Sequence, residues 1–209
     1  MFIQLFDQIN ANLDYEVFNV VQGVYPDHVD HCDAYLITGS AASVYDGDPW
    51  ISELEDYIKI LHQKKKPILG ICFGHQLIAQ VFGGVTEKSS KGWGIGASTS
   101  RIVEHTHWMK PRLDRFSMLV SHQDQVTRLP EGAKLLASSD FCLNASYQLG
   151  NHILTFQGHP EFSKPYCQAL MEGRANILGN DLLTSGLTSL NQEIQSTLIA
   201  QWMLTFLSK

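Results

Sequence analysis

Short apolar runs alternate with stretches of helical spacing along the first half of the chain. Phe2, Leu5, Phe6, Ile9 and Leu13 recur every three or four residues, which predicts an opening helix. Two later apolar runs are too short for helices and end at glycine or in a loop, as buried strands do, and each precedes a helical pattern. These strands are predicted at 33–38 and 67–72, and the helices at 51–61 and 75–84.

The remaining pattern completes an α/β domain. The segment 15–21 is β-rich, and five more β-rich stretches lie between residues 92 and 159. Two helices close the chain, one with Ser163 as candidate N-cap and one running on from Ser189. Strand–helix alternation of this kind predicts a parallel or mixed central sheet with helices on both faces. We therefore expect one domain over residues 1–209.

Composition and charge narrow the function classes. The chain has 209 residues, a length typical of one domain, and a formal net charge of −6. Its dense basic run, KKK at 64–66, follows a helical pattern, so we interpret it as helix C-terminal cations rather than a nucleic-acid surface. The sequence lacks a membrane-length apolar run, a signal-peptide pattern and a CxxC pair. These features favour a cytoplasmic protein with reduced thiols and without a nucleic-acid or membrane partner.

The stretch "GICFG" places Cys72 between Gly70 and Gly74, where an apolar run meets a helical pattern. A strand that turns directly into a helix strains the backbone at its tip and leaves room only for small residues two positions away. A cysteine at this tip lies at the carboxyl edge of the sheet and at a helix N-terminus, whose partial positive charge favours the thiolate. Cys72 is therefore a candidate nucleophile, and the alternative is a buried structural cysteine.

A thiol nucleophile needs a base, and the base needs a group that orients it. In "TFQGHPEF", His159 follows an apolar strand and Glu161 comes two residues later. If this strand is parallel to the one before Cys72, His159 lies at the same edge of the sheet. Glu161 could then hold the imidazole in the correct tautomer, as the third member of a triad does. A histidine at a strand end is more often structural, so the hypothesis depends on its combination with the elbow.

Attack on an acyl group also builds negative charge on an oxygen, which backbone N–H groups can stabilise. The N–H of Phe73 directly follows the candidate nucleophile at the start of the helix. In "ITGSAAS", Gly39 ends a strand and Ser40 offers a second N–H in a loop of small residues. We therefore expect the oxyanion donors to be Phe73 and Ser40.

With "GICFGHQ" and "GHPE" together, the chain resembles the class I glutamine amidotransferases. These include the glutaminase domain of GMP synthetase, the small subunit of carbamoyl phosphate synthetase and stand-alone relatives. The resemblance extends from about residue 15 to residue 162. It implies a flavodoxin-like fold and a triad of Cys72, His159 and Glu161 that attacks the carboxamide of glutamine, giving a γ-glutamyl thioester and ammonia. No cofactor is expected.

The resemblance also implies roles around the triad. It places the oxyanion hole at the backbone of Ser40 and Phe73. It assigns Gln76 to the small-molecule substrate. It also implies that the segment "SHQDQV" binds the amino and carboxylate groups of the substrate. The residues there that match the family's binding positions are Ser121, Gln123 and Asp124.

Three stretches, "ITGSAASVYDGDPWI", "KGWGIG" and "FQGHPEF", resemble the stand-alone members of the family, including plant-type γ-glutamyl peptidases. Those enzymes hydrolyse or transfer a γ-glutamyl group from a peptide. The synthetase-linked domains typically have GGP where this chain has GSA. As an amidotransferase, the chain would pass ammonia to a separate synthetase subunit. Both subclasses remain open at this point.

The start of the chain departs from the family pattern. The family fold usually begins with a β-strand followed by a helix, whereas this chain begins with the helix-like "MFIQLFDQIN". We therefore expect the first strand to be absent, and an apolar sheet edge to be exposed as a result.

Other features of the sequence allow different interpretations. His28 and His31 lie near Cys32, and zinc sites use such residues. The sequence shows no second cluster of histidines or cysteines at the spacing of zinc ligands, so no metal site is assigned. Trp93, between two glycines, is interpreted as a packing aromatic rather than as part of a substrate cleft. The chain could also be a catalytically idle regulatory or scaffold subunit, or a cysteine hydrolase of another acyl substrate. The complete triad motif argues against the idle subunit.

Overall fold

The computed structural model describes residues 1–9 and 12–208. None of the helices in these residues is both long and apolar enough to cross a membrane. The helices are α1 (Phe2–Asp7), α2 (Pro49–Gln63), α3 (Phe73–Val81), α4 (Lys164–Gly173), α5 (Ala175–Leu178), α6 (Asn180–Ser189) and α7 (Ser196–Leu207). The strands are β1 (Tyr35–Ile37), β2 (Ile68–Ile71), β3 (Val85–Lys88), β4 (Gly94–Ile102), β5 (Arg115–His122), β6 (Asp124–Arg128), β7 (Ala133–Ser138), β8 (Ser146–Leu149) and β9 (Ile153–Phe156).

Seven strands form one mixed sheet in the order β1-β2-β9-β8-β7-β4-β5. β1, β2 and β9 are parallel, with Gly70 paired to Thr155 across the β2–β9 ladder. The other neighbours in this sheet are antiparallel, and β3 and β6 form a separate two-stranded ribbon. The sheet is therefore mixed, as the sequence predicts, and its parallel part is confined to the three strands that carry the candidate site.

Helices cover both faces of the sheet, and β2 shows why. Successive strand residues point to opposite faces, so Leu69 and Ile71 join a buried cluster with α1 and α7, which includes Trp202. Ile68 instead joins a cluster with α2 and α3 on the other face. All four β2 residues are buried, which explains why this strand is a continuous apolar run.

The turn from β2 into α3 is as tight as its sequence predicts. Cys72 has φ 50° and ψ −100°, a conformation that residues with a Cβ atom rarely adopt. A Cβ on Gly74 would lie 2.3 Å from the carbonyl oxygen of Ile37, and one on Gly70 would lie 2.6 Å from Ile78 Cδ1. The two glycines are therefore required because helix α3 passes directly against β1 and its own strand.

The structure corrects the predicted elements at three places. The opening helix ends at Asp7, so Leu13 lies outside it, and the predicted part at 10–11 lies outside the described residues. The β-rich segment 15–21 forms no strand and ends in a 3-10 turn at Val20–Gln22, because no neighbouring strand pairs with it. The last helix begins at Ser196, since Ser189 is the final residue of α6.

β1 is the edge strand of the main sheet, and its three residues are only half-buried. Among residues 1–9 and 12–34 there is no strand that could pair with its outer side. Within these residues the sheet therefore ends at β1, as expected for a missing preceding strand, but the edge is only partly exposed because its side chains pack against the core.

Replacing Gly74 by alanine tests how closely α3 approaches β1. The added Cβ meets backbone rather than a flexible side chain, so we expect a loss of about 3 kcal/mol, the upper part of the range for overpacked sites. Thermal or urea unfolding measures this loss. Gly173→Ala is the control, because its Cβ meets nothing within 4 Å, and it should leave stability unchanged or raise it by up to about 1 kcal/mol. Equal stability of the two variants would contradict the close approach.

Candidate active site

Cys72 and His159 lie at the carboxyl ends of neighbouring parallel strands. The N–H of Cys72 donates to the carbonyl of Phe156 at 2.9 Å, which ties the elbow to the end of β9. A Cβ on Gly39 would lie 2.8 Å from His159 Cε1 and 3.6 Å from Cys72 Cβ. The loop after β1, the elbow after β2 and the histidine after β9 therefore meet at one point, as the sequence predicts.

The imidazole of His159 is held at its edge and against its face, and its backbone is also fixed. Its Nδ1 is 2.8 Å from Glu161 Oε1, as expected for an orienting carboxylate. The ring of Phe162 stacks on it at a centroid distance of 3.9 Å and an interplanar angle of 8°. Its backbone N–H donates to the carbonyl of Leu119 on β5 at 2.8 Å. The ring plane is thus fixed by a hydrogen bond at its edge and by an aromatic ring against its face.

The surroundings of His159 favour its protonated form. Burial alone would lower its pKa, but the thiol group of Cys72 and the carboxylate of Glu161 outweigh burial and raise the pKa well above its ordinary value. The side chains of His159 and Glu161 are only 6% and 4% exposed, so solvent screens this interaction weakly. The site therefore supports a protonated imidazole held between the carboxylate of Glu161 and the sulfur of Cys72.

Two further histidines lie buried near the site and are neutral at physiological pH. Burial lowers the pKa of His122 to about 4 and that of His75 to about 3. His122 Nδ1 contacts the carbonyl of Asp124 at 2.9 Å, and His75 Nδ1 contacts Thr155 Oγ1 at 2.8 Å. The positive charge near Cys72 is therefore concentrated on His159.

The two expected oxyanion donors both lie beside the elbow. Phe73 is the first residue of α3, so its N–H has no acceptor within the helix. Ser40 lies directly after Gly39 in the loop that follows β1, and its Oγ accepts from the N–H of Ala42 at 3.2 Å. Within the described chain, the N–H of Ser40 makes no hydrogen bond. Both groups are thus available to an anionic oxygen.

The structure brings Gln76 and Asp124 together. Gln76 Nε2 donates to the carbonyl of Asp124 at 2.8 Å and to Gln157 Oε1 at 3.1 Å. The carboxylate of Asp124 accepts hydrogen bonds from Ser43 Oγ and, at 2.8 Å, from Tyr45 Oη. The loop that carries Ser40 is therefore tied to the turn between β5 and β6, and the amide nitrogen of Gln76 is already occupied.

Ser121 and Gln123 flank His122 at the same turn. Ser121 Oγ accepts from Arg174 Nη1 at 2.6 Å, and the guanidinium of Arg174 lies 5.2 Å from the ring centre of Trp93. Gln123 is half-buried, and its carbonyl accepts from the N–H of Ser89 at 2.9 Å. Trp93 packs against a buried cluster that includes Leu119, as the sequence favoured, and it also contacts a charged group near the candidate substrate residues.

Sequence reasoning missed Phe162, Arg174 and the two hydroxyls of Ser43 and Tyr45. Phe162 belongs to the quoted motif "GHPEF", and a stacking role could have been inferred from its position after Glu161. Arg174 follows α4, 53 positions from Ser121, and no local pattern connects the two. Only the packing of α4 against β5 brings them together.

Residues 8–171 match the family model described as glutamine amidotransferase class-I. The chain belongs to the class-I glutamine amidotransferase family. Among curated members, it is 34% identical to gamma-glutamyl peptidase 3 of Arabidopsis thaliana over 72% of this chain and 64% of that protein. It is 37% identical to a glutamine-hydrolyzing GMP synthase subunit of Archaeoglobus fulgidus over 56% of this chain and 64% of that protein. The aligned region thus spans slightly less than two thirds of these relatives.

The fold is also that of the class-I amidotransferase family. A crystal structure of a glutamine amidotransferase from Thermotoga maritima superimposes with a TM-score of 0.77, at 21% identity, over 100% of this chain and 90% of the other. One from Methylobacillus flagellatus gives a TM-score of 0.74 at 19% identity, over 99% and 86%. The mixed sheet with helices on both faces is therefore the family architecture.

The pH dependence of thiol chemistry at this site should change in Glu161→Gln. Because the carboxylate raises the pKa of His159, its removal should lower that pKa and move the alkaline limb of kcat/KM to lower pH. We expect the rate at neutral pH to fall by roughly 10²-fold, the lower end of general acid–base effects. Steady-state rates across the pH range, with the substrate proposed below, would measure both effects.

Glu131→Gln is the control for this measurement, because Glu131 is exposed. It should leave the profile unchanged. An alkaline limb that does not move in Glu161→Gln would show that Glu161 does not set the protonation of His159.

Proposed function

We propose that the chain hydrolyses a γ-glutamyl amide bond through a thioester on Cys72. The observation that carries this proposal is the placement of His159 beside Cys72, oriented by Glu161 and Phe162 at the edge of the parallel strands. Family membership supports the same chemistry. The proposed substrate is a small molecule, either a γ-glutamyl peptide or glutamine.

In the first step, the Cys72 thiolate attacks the γ-carbonyl carbon and forms the C–S bond. The carbonyl oxygen becomes an oxyanion, which the N–H groups of Ser40 and Phe73 stabilise. Collapse of this intermediate breaks the C–N bond, and the imidazolium of His159 gives its proton to the departing amine. Glu161 keeps the ring oriented while its charge changes.

In the second step, the neutral His159 takes a proton from water, which attacks the thioester carbonyl. The C–S bond breaks, glutamate is released, and the proton on His159 restores the ion pair with Cys72. The same two N–H groups stabilise the second oxyanion. No redox change occurs, so the cycle needs no cofactor.

Recognition of the γ-glutamyl half is assigned to the turn between β5 and β6. The carboxylate of Asp124, oriented by Ser43 and Tyr45, would face the substrate ammonium, and Ser121 with Gln123 would bind its carboxylate. Gln76 supports this turn through its bond to the Asp124 carbonyl. These assignments follow from the family resemblance and from the contacts of the side chains.

We favour a γ-glutamyl peptidase over a glutaminase. Two gamma-glutamyl peptidases of Arabidopsis thaliana, numbers 3 and 5, are each 34% identical to this chain and align with 72% and 78% of it. The half-buried guanidinium of Arg174 beside Ser121 suits the carboxylate of the γ-glutamyl group, which both candidate substrates carry. The GMP synthase relative from Archaeoglobus fulgidus supports the second candidate, a glutaminase that passes ammonia to a separate synthetase subunit.

Product analysis separates the two candidates. Purified protein incubated with γ-glutamyl dipeptides, glutathione or glutamine should release glutamate from the peptides with little ammonia. Ammonia from glutamine, rising with an added synthetase partner, would instead indicate the amidotransferase. Cys72→Ala and His159→Ala should each lose most of the rate, since both groups act directly on the reacting atoms.

Controls at other cysteines and histidines make this result specific. Cys32→Ser and His107→Ala lie away from the triad and should retain the rate. If the wild type and Cys72→Ala are equally silent on every γ-glutamyl compound, the catalytic proposal fails, and the idle regulatory subunit becomes the better account.

Arg174→Gln tests the charge near the substrate carboxylates. Removing the guanidinium should raise KM by roughly tenfold, about the 1.5 kcal/mol of a charged hydrogen bond, while kcat changes little. Arg112→Gln is the matched control, because Arg112 is exposed and contacts His105 instead. A fall in kcat with unchanged KM would contradict a binding role for Arg174.

A further inference from the structure

Three side chains that can bind metals converge before β1. Glu16, His31 and Cys32 each offer a ligand atom, and these atoms all lie within 4.8 Å of one another. Glu16 Oε2 is 2.5 Å from His31 Nε2. Across residues 1–9 and 12–208, this is the one group of three or more histidine, cysteine, aspartate or glutamate side chains with such spacing.

The local backbone holds this cluster in place independently of the cluster's own contacts. The N–H of His31 donates to the carbonyl of His28 at 3.0 Å, which closes a turn at 28–31. Lys66 Nζ donates to the carbonyl of Cys32 at 3.2 Å and to the carboxylate of Asp30 at 2.9 Å. The ammonium that could otherwise neutralise the cluster is therefore occupied by neighbouring groups.

Aromatic contacts position the imidazole from its other sides. The ring of Phe18 packs edge-on against His31 at a centroid distance of 6.0 Å, and the ring of His28 packs at 5.7 Å. Cys32 is half-buried, whereas Glu16 and His31 are exposed enough for an ion to enter. The three donor groups are thus preorganised at an accessible position.

We propose that Glu16, His31 and Cys32 form a zinc-binding site. A thiolate, an imidazole and a carboxylate are the three ligand types that Zn²⁺ uses, and the sulfur ligand disfavours Mg²⁺ and Ca²⁺. A divalent charge would offset the two anionic ligands. The fourth position of a tetrahedral site falls to water or to the neighbouring His28.

The consequence of zinc binding would be structural. Glu16 belongs to the segment before β1 that has no regular structure, whereas His31 and Cys32 directly precede the edge strand. An ion shared by them would tie this segment to β1 at its N-terminal end, away from the carboxyl end where Cys72 lies. The zinc site is therefore independent of the proposed hydrolase function.

Cobalt substitution tests the site with the metal alone. The Cys72→Ala variant removes the active-site thiol as a competing ligand, and is first stripped with a chelator. Added Co²⁺ should give a sulfur-to-cobalt charge-transfer band and tetrahedral absorption at one ion per chain, and Zn²⁺ should displace it. Both signals should disappear in Cys72→Ala/Cys32→Ser.

The other two ligands are tested in the same background. Glu16→Gln and His31→Ala should each weaken Zn²⁺ binding by at least about tenfold. Loss of a group that only hydrogen-bonds a metal ligand already weakens binding by about this much, so loss of a ligand should cost no less. His107→Ala, an exposed histidine outside the cluster, should bind as tightly as the parent. Zinc should raise the unfolding temperature of the parent and of His107→Ala, but not that of the Cys32→Ser variant.

Three results would overturn the proposal. They are a cobalt–thiolate band that survives in Cys32→Ser, zinc binding that is unchanged in Glu16→Gln, and a parent protein that binds no zinc. Circular dichroism of each metal-free variant confirms that it is folded, so a lost signal reports a lost ligand. Glu16 is exposed, and its replacement by glutamine keeps the shape of the side chain.

Discussion

The close passage of helix α3 over the end of β1 determines the geometry of the whole site. Gly74 lies so near the carbonyl of Ile37 that no side chain fits between them. This contact forces the chain to turn within one residue after β2, and Cys72 occupies the tip with a positive φ. Because β1 is held against α3, its following loop also reaches the elbow. One backbone contact thus positions both the candidate nucleophile, Cys72, and the loop of the candidate oxyanion donor Ser40.

His159 completes the site from the other side of β2, and its positive charge is favoured by Cys72 and Glu161 against the opposing effect of burial. The parallel pairing of β2 with β9 fixes its height along the sheet, and Phe162 and Glu161 fix its ring. Water is largely excluded from this pair, so the carboxylate acts on the imidazole with little screening. The neutral His75 and His122 behind the site add no competing positive charge.

The parts of this site that lie close in sequence could be predicted, because local backbone physics connects them. The elbow of Gly70, Cys72 and Gly74 is one strand-to-helix turn, and His159 with Glu161 is one strand end. The contacts of Asp124 with Ser43 and Tyr45, and of Arg174 with Ser121, span 53 residues or more. They depend on tertiary packing, which no short pattern records. The segment 15–21 was misjudged for the same reason, since its β-rich composition needs a partner strand.

The backbone of Cys72 opposes the stability of the fold. A non-glycine residue at positive φ costs about 1–3 kcal/mol, and glycine at the same position would not bear this cost. Stability alone would therefore favour glycine at this position, and the proposed chemistry of the thiol accounts for the cysteine. A lineage that no longer needed the thiol would be expected to change first at Cys72. Replacement by glycine there would remove the thiol and relieve the backbone strain in one step.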